Sequence, residues 1–327
     1  VVTHSHPDHF GGVHRLRDDY GTLVLTHENF RSVWLDSNLD EEMAGVELDL
    51  ANDEDLERIR SLMSQPTPWG TRRQAPTAAE LRKWSEMDVT GGSRSWRVPV
   101  PSTTVTDGEE GVLGGRTWVS LHTPGHTHDH LCLYDPADGI LLSGDHVLPT
   151  ITPHIGGIGP MDDPLATFFH SLERMKELPG LRQVLPAHGH PFTDVAGRVD
   201  DIISHHGERL DTIRKAGDHL GSGTVEEYMK RLFKERSWGD MAASETYAHL
   251  EHLRIMGQAK RDEHHTGELM PAASKLYHLE KEHCLLAGQD FVLSKPIATS
   301  TTAAIGDPEG ISSTRGQFHC IADGHST

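Results

Sequence analysis

The chain of 327 residues carries 30 Lys and Arg against 49 Asp and Glu, a formal net charge of −19, with 25 His. Such an acidic balance excludes a protein held to nucleic acid by a broad basic face, because phosphate neutralisation needs clustered positive charge. No apolar run approaches the ~20 residues of a membrane-spanning helix, and Cys132, Cys284 and Cys320 are too widely spaced for a disulfide framework.

Val1-Val2 reads as the end of a strand running into Thr3-His4-Ser5-His6-Pro7-Asp8-His9. His4 and His6, two apart, leave the same face of an extended segment. Asp8 and His9 follow Pro7 into the start of a helix and approach from another direction. Imidazole nitrogens and carboxylate oxygens are donors that zinc prefers. Even in a chain this rich in histidine, chance would produce the pattern in roughly one sequence in a hundred. Four donors on one tight turn can serve two neighbouring ions.

Residues 36 to 100 are acidic, then punctuated by Pro and Gly, with a helix near Asp53 to Met63; they read as an insertion over the mouth of the site. A strand from Trp118 to His122 then runs into Thr123-Pro124-Gly125-His126, and a second spans Leu131 to Tyr134. Turn chemistry at 135–139 leads to Ile140-Leu141-Leu142-Ser143 and on to Gly144-Asp145. Asp163-Pro164 opens a helix whose Leu165, Phe168, Phe169, Leu172 and Met175 share a face, and Pro179-Gly180 stops it. Val184-Leu185 precedes Pro186-Ala187-His188-Gly189. His126, Asp145 and His188 thus each sit where a strand runs into Gly or Pro, the position from which a rigid sheet presents functional side chains. His146 and His190 lie beside two of them and could orient the ligands or touch substrate.

Beyond His188 the pattern turns helical. Val199, Ile202, Ile203, Leu210 and Ile213 form one stripe, Thr224-Val225-Glu226-Glu227 is a capping box, and Tyr247, Leu250, Leu253 and Met256 form another stripe. Lys260 to Leu269 reads as a β-wing. Residues 271 to 327 read as a poorly ordered tail, with a helix over Lys275 to Leu286 and no role for His319, Cys320 or His325. The expected domains are 1–198, 199–270 and this tail.

The series His4-Ser5-His6-Pro7-Asp8-His9, Thr-Pro-Gly-His126, Gly-Asp145 and Pro-Ala-His188-Gly resembles the metallo-β-lactamase superfamily over residues 1 to about 195. The resemblance implies an α+β, four-layer αββα sandwich, with its first strands missing ahead of Val1. It also implies two Zn²⁺, with Fe or Mn as other metals: His4, His6 and His126 on one ion, Asp8, His9 and His188 on the other, and Asp145 bridging. The carboxylate at 145 is similar to the glyoxalase II branch, whereas zinc β-lactamases typically have Cys in that region. The three helices and wing resemble the winged-helix domain of one branch of the family. From Asp201 to His265 that region carries 10 Lys and Arg against 12 Asp and Glu, so packing or homodimerisation is favoured over nucleic-acid binding.

Coordinated water drops from a pKa of about 15.7 toward ~7, so the expected reaction is attack by a bridging hydroxide on an ester, thioester or lactone carbonyl, oriented by Asp8 and Asp145. The partner is then a small acyl substrate, without a membrane, in the cytoplasm. Two alternatives follow from the resemblance: an endoribonuclease of the winged-helix branch, and a sulfur dioxygenase with one iron on His4, His126 and Asp145.

Overall fold

The computed structural model describes residues 1–31, 47–49, 51–64, 66–73, 75–86, 95–264, 274–279 and 318–319. At the amino end, Val2 lies beside strand β1 (Leu25–His27), its amide donating to the Leu25 carbonyl at 2.9 Å. Helices α1 (Pro7–Phe10) and α2 (Val13–Tyr20) follow the histidine motif, and α2 ends on Gly21 in the left-handed region. Then come β2 (Glu47–Asp49), α3 (Asp53–Met63), α4 (Ala78–Glu86) and β3 (Ser95–Arg97), which pairs antiparallel with β2. α3 matches the helix read from the sequence, and Asn52 caps it by accepting from the amides of Glu54 and Asp55. Residues 32–35 and, within the expected insertion, 36–46, 50, 65, 74 and 87–94 lie outside the described residues. Its Trp69 is buried against Tyr247.

The main sheet is built from β5 (Glu110–Leu113), β6 (Arg116–His122), β7 (Leu131–Asp135), β8 (Ile140–Gly144) and β9 (Gln183–Pro186), after β4 (Thr103–Val105) has paired parallel with β1. β5 to β8 are antiparallel neighbours and β9 joins parallel to β8. A parallel neighbour needs a crossover, supplied here by α5 (Pro164–Lys176). Asp163 caps α5 and Pro164 occupies its first turn, as the sequence signalled.

Every residue of β7 is buried because the sheet is covered on both faces. Cys132 and Tyr134 face a core with Phe168, Leu172 and Met175 of α5 and Val199 and Ile202 beyond it. Leu131 and Leu133 face the other way, onto Leu25 and Val105 of the β1–β4 pair. Phe10, Val13, Val24 and Phe30 close the outer side of that pair. The order helix, sheet, sheet, helix is the α+β layering that the resemblance implied, with two strands in the described part of the smaller sheet.

α6 (Val195–Leu220), β10 (Ser222–Thr224), α7 (Val225–Leu232), α8 (Asp240–Ile255), β11 (Ala259–His264) and β12 (Ser274–Leu279) complete the chain's second half. The Thr224 capping box is present, with Glu227 returning the bond. The boundary expected after residue 198 falls in the first turn of α6. One expectation is overturned: Lys275 to Leu286 does not begin as a helix. Ser274–Leu279 is a strand between β10 and β11, in the order β10-β12-β11. β11 is a strand within the stretch expected to form a wing, and its partner β12 lies in the segment assigned to the tail. The rest of the expected wing, 265–269, and most of the tail lie outside the described residues; β13 (Phe318–His319) is parallel to β5 at the edge of the main sheet. Among the described residues no helix is long and apolar enough to cross a membrane.

Candidate metal centre

Local backbone chemistry places each donor. His6 is the N-cap of α1 and Pro7 its first residue, so the chain turns sharply after His6 and carries Asp8 and His9 round to a second face. Gly125 has φ +138°, and a Cβ there would stand 2.4 Å from the Phe168 Cβ, so only glycine lets His126 approach across α5. The β8–β9 register shifts between Leu142 and Gly144, and the left-handed Gly144 then aims Asp145 off the end of the strand. His188 follows β9 and precedes Gly189, also at positive φ.

All seven donors meet at this end of the sheet. His4 Nε2 and His126 Nε2 stand 2.9 and 3.0 Å from His6 Nδ1. His9 Nε2 and His188 Nε2 are 3.3 Å apart, and Asp8 Oδ2 lies 3.5 and 3.3 Å from them respectively. Asp145 stands between the two sets: Oδ2 is 3.4 Å from His9 Nε2 and 3.7 Å from His126 Nε2, and Oδ1 is 3.5 Å from His188 Nε2. Three donor triads result, His4/His6/His126, Asp8/His9/His188 and His4/His9/Asp145.

The donor set suits cations. His126 Nδ1 lies 2.7 Å from the His154 carbonyl, which can only accept, so Nδ1 carries the proton and Nε2 presents a lone pair toward His6. Asp145 Oδ1 is buried without a hydrogen-bond partner among the described residues. A buried acceptor left bare beside converging imidazole lone pairs is what a site for divalent ions requires. Burial, then neighbouring imidazoles, holds His4 well below its ordinary pKa, and the same causes lower His6 to about 4. Burial, then His6, lowers His126 to about 3. These rings are neutral, as metal ligands must be. Burial works to raise the Asp145 carboxyl, but the contact with His9 and the nearby imidazoles hold it below the ordinary value.

The two ends differ in access. The side chains of His126 and Asp145 are 5% and 10% exposed, those of His188 and Asp8 45% and 51%. One triad is thus enclosed, and the other faces solvent where a substrate could reach it.

The two neighbouring histidines fare differently. His146 is buried against Phe168 and the His130 ring, with burial lowering it to about 3, and it makes no hydrogen bond to the cluster among the described residues. His190 is exposed beyond Gly189. The supports are His130, Asp129 and His154: the sequence offers His154 and His130 as candidates behind His146 and His190, and gives no signal for Asp129. His130 Nε2 accepts the Asp145 amide at 3.0 Å, and Ser5 Oγ donates to Asp129 Oδ1 at 3.0 Å, tying the first motif to the second. His130 immediately precedes β7 and is in phase with Cys132 and Tyr134, so the period of two pointed His130 into the core.

Comparison with known proteins agrees with this geometry. The sequence profile described as the metallo-beta-lactamase superfamily matches residues 1–188. A hydroxyacylglutathione hydrolase of Idiomarina loihiensis is 36% identical over 118 residues, 36% of this chain and 43% of that protein. An atrochrysone carboxyl ACP thioesterase of Aspergillus novofumigatus is 28% identical over 142 residues, 40% of this chain and 42% of the other. The chain thus spans less than half the length of these curated relatives. Among solved structures, a metallo-beta-lactamase family protein of Thermus thermophilus aligns at TM-score 0.57 and 26% identity, covering 85% of this chain and 78% of that one. A beta-lactamase domain protein of Burkholderia ambifaria aligns at TM-score 0.59 and 24% identity, covering 85% and 73%.

Proposed function

Because the chain belongs to the metallo-beta-lactamase superfamily, we propose that it is a dinuclear metal-dependent hydrolase of a small acyl substrate, most specifically a thioester. One observation carries the proposal: the Asp145 carboxylate lies within 3.4–3.7 Å of ligand nitrogens from both donor triads. Seven donors with one shared carboxylate would hold two neighbouring ions, the arrangement of hydrolytic two-metal sites, whereas a structural zinc is a single ion closed by four residues. The names of the two relatives, one a hydroxyacylglutathione hydrolase and the other an acyl-carrier thioesterase, support the thioester class.

His4, His6 and His126 would hold one ion and Asp8, His9 and His188 the other, with Asp145 common to both. Zinc fits the donors, and iron or manganese would be accepted by the same nitrogen and oxygen set. Bound divalent ions would supply a hydroxide nucleophile near neutral pH and polarise the acyl oxygen. Asp145 and Asp8 accept hydrogen bonds and so orient the attacking water. The half-exposed Asp8 and His188 mark the side from which the acyl group enters. His6, Asp8, His9 and His188, donors beyond the set used by a single iron, favour the dinuclear hydrolase over the dioxygenase.

We read α6, β10, α7, α8, β11 and β12 as a winged-helix module with a packing role. Two of its basic residues are spent internally: Arg254 Nε and Arg261 Nη1 each donate to Glu251 Oε2 at 2.9 Å. Guanidinium groups engaged this way are poor phosphate anchors, which weighs against an endoribonuclease.

The test is elemental analysis with thioester assays on the purified chain. About two metal ions per chain, activity lost with a chelator and regained with Zn²⁺, are the expected results. One iron per chain, or hydrolysis that survives metal removal, would refute the proposal.

A further inference from the structure

Among the contacts between the helical half of the chain and the segment that supports the ligand His126 is one made by a buried carboxylate. Glu245 lies on α8, with its side chain 9% exposed. Its Oε1 pairs with Arg209 of α6, and its Oε2 stands 3.3 Å from Nδ1 of His154. His154 belongs to the segment between β8 and α5, and its carbonyl holds Nδ1 of the ligand His126 at 2.7 Å. Three residues on, the same segment is pinned again, the Gly157 amide donating to both the carbonyl and Oγ of Ser244 at 3.1 Å. The fit there is tight enough that a Cβ on Gly157 would stand 2.4 Å from the Tyr247 ring.

We propose that Glu245 is a positioning residue for the metal centre, fixing the His154 segment so that its carbonyl sets the tautomer and tilt of the His126 ring. The proposal rests on the reading of His126 as a metal ligand. Arg209 keeps the Glu245 carboxylate in place, so it cannot swing away from His154 at no cost. A ligand imidazole whose second nitrogen is held in this way is oriented before the ion arrives, and loss of such support typically weakens metal binding ten- to a hundredfold. The catalytic layer thus borrows the order of one of its ligands from a helix more than a hundred residues downstream.

A neighbouring contact serves as control. His252, also on α8, lies 2.9 Å from Asp163, which closes the same segment as the N-cap of α5, nine residues beyond His154, and which has no hydrogen bond or ion pair with His154 or His126 among the described residues. Asp163→Asn removes the carboxylate from that contact while Asn still caps α5.

The experiment measures Zn²⁺ affinity by competition with a chromophoric chelator for the full chain and for Glu245→Ala, His154→Ala, the double variant and Asp163→Asn. The expected result is roughly tenfold weaker binding in each single alanine variant. The double variant should be no weaker than either, because both changes cut one chain of contacts. Asp163→Asn should match the parent. His154→Ala leaves the Arg209–Glu245 pair intact, so it decides the matter should Glu245→Ala fail to fold. Unchanged affinity in His154→Ala, additive losses, or an equal loss in Asp163→Asn would overturn the proposal alone. A parent chain that binds no Zn²⁺ would overturn it together with the metal-centre reading.

Discussion

The amide of Asp145 donates to Nε2 of His130 at 3.0 Å, so the shared carboxylate is anchored through its backbone by a fully buried imidazole. For Nε2 to accept, the His130 proton must sit on Nδ1, which faces Thr123 Oγ1 at 2.7 Å. The ring also stacks on His4, with centroids 5.0 Å apart. His130→Ala would strand a buried amide and remove a wall from His4. The expected cost is about 1–3 kcal/mol of stability and ten- to hundredfold weaker metal binding. Urea unfolding of the metal-free chain and chelator competition measure the two effects separately.

Asp145→Asn keeps the shape of the side chain but removes its charge from between the two donor sets. Metal content should fall below that of the parent, and thioester hydrolysis should drop by roughly 10²–10⁴. Full activity with two ions per chain in this variant would mean that the carboxylate is not shared.

Gly125 and Gly159 offer a paired steric experiment. Both have φ near +140°, so alanine strains the backbone similarly at each. At 125 the new Cβ would meet Phe168 at 2.4 Å, whereas at 159 nothing lies within 4 Å. Gly125→Ala should therefore be the more destabilising by about 1–3 kcal/mol, with His126 displaced and metal affinity reduced. Equal melting temperatures for the two variants would contradict this packing.

Acid should weaken the metal-free fold through the helical half. Burial, then His249, lowers His206 to about 2, and burial, with opposing effects from Glu245, lowers His249 to about 4. An unfolded histidine titrates near 6.5, so below that pH the unfolded state binds protons the folded state refuses. Stability from these two groups is fully present above pH 7 and is lost as the pH falls from about 6.5, toward 4 for His249 and toward 2 for His206, at up to about 1.4 kcal/mol per pH unit per histidine. A urea midpoint unchanged between pH 7 and pH 5 would show that both rings protonate without cost.

The seven donors were legible in the sequence because each sits in a short motif at a strand end, where local chemistry alone fixes its direction. The supports were not. Nothing near His154 marks its carbonyl as the partner of His126, and Glu245 meets that segment only once α8 has docked. Ser274–Leu279 was misread for a related reason. Leu276, Tyr277 and Leu279 in a short run fit a helix as well as a strand, and what decides is pairing with β10 and β11, of which β10 lies some fifty residues upstream. The Thr224 capping box and the Asp163-Pro164 start were readable because their partners are three residues away.

The middle place of β12 in its three-stranded sheet sets an order of events. Among the described residues β10 and β11 bond to β12 and not to each other, and Tyr277, wholly buried, donates from its hydroxyl to Glu251 of α8. During synthesis both flanking strands would wait, unpaired, until residue 279 has cleared the ribosome. A chain cut at 270 would keep every metal donor yet carry two open edges, ready to recruit a strand from another copy.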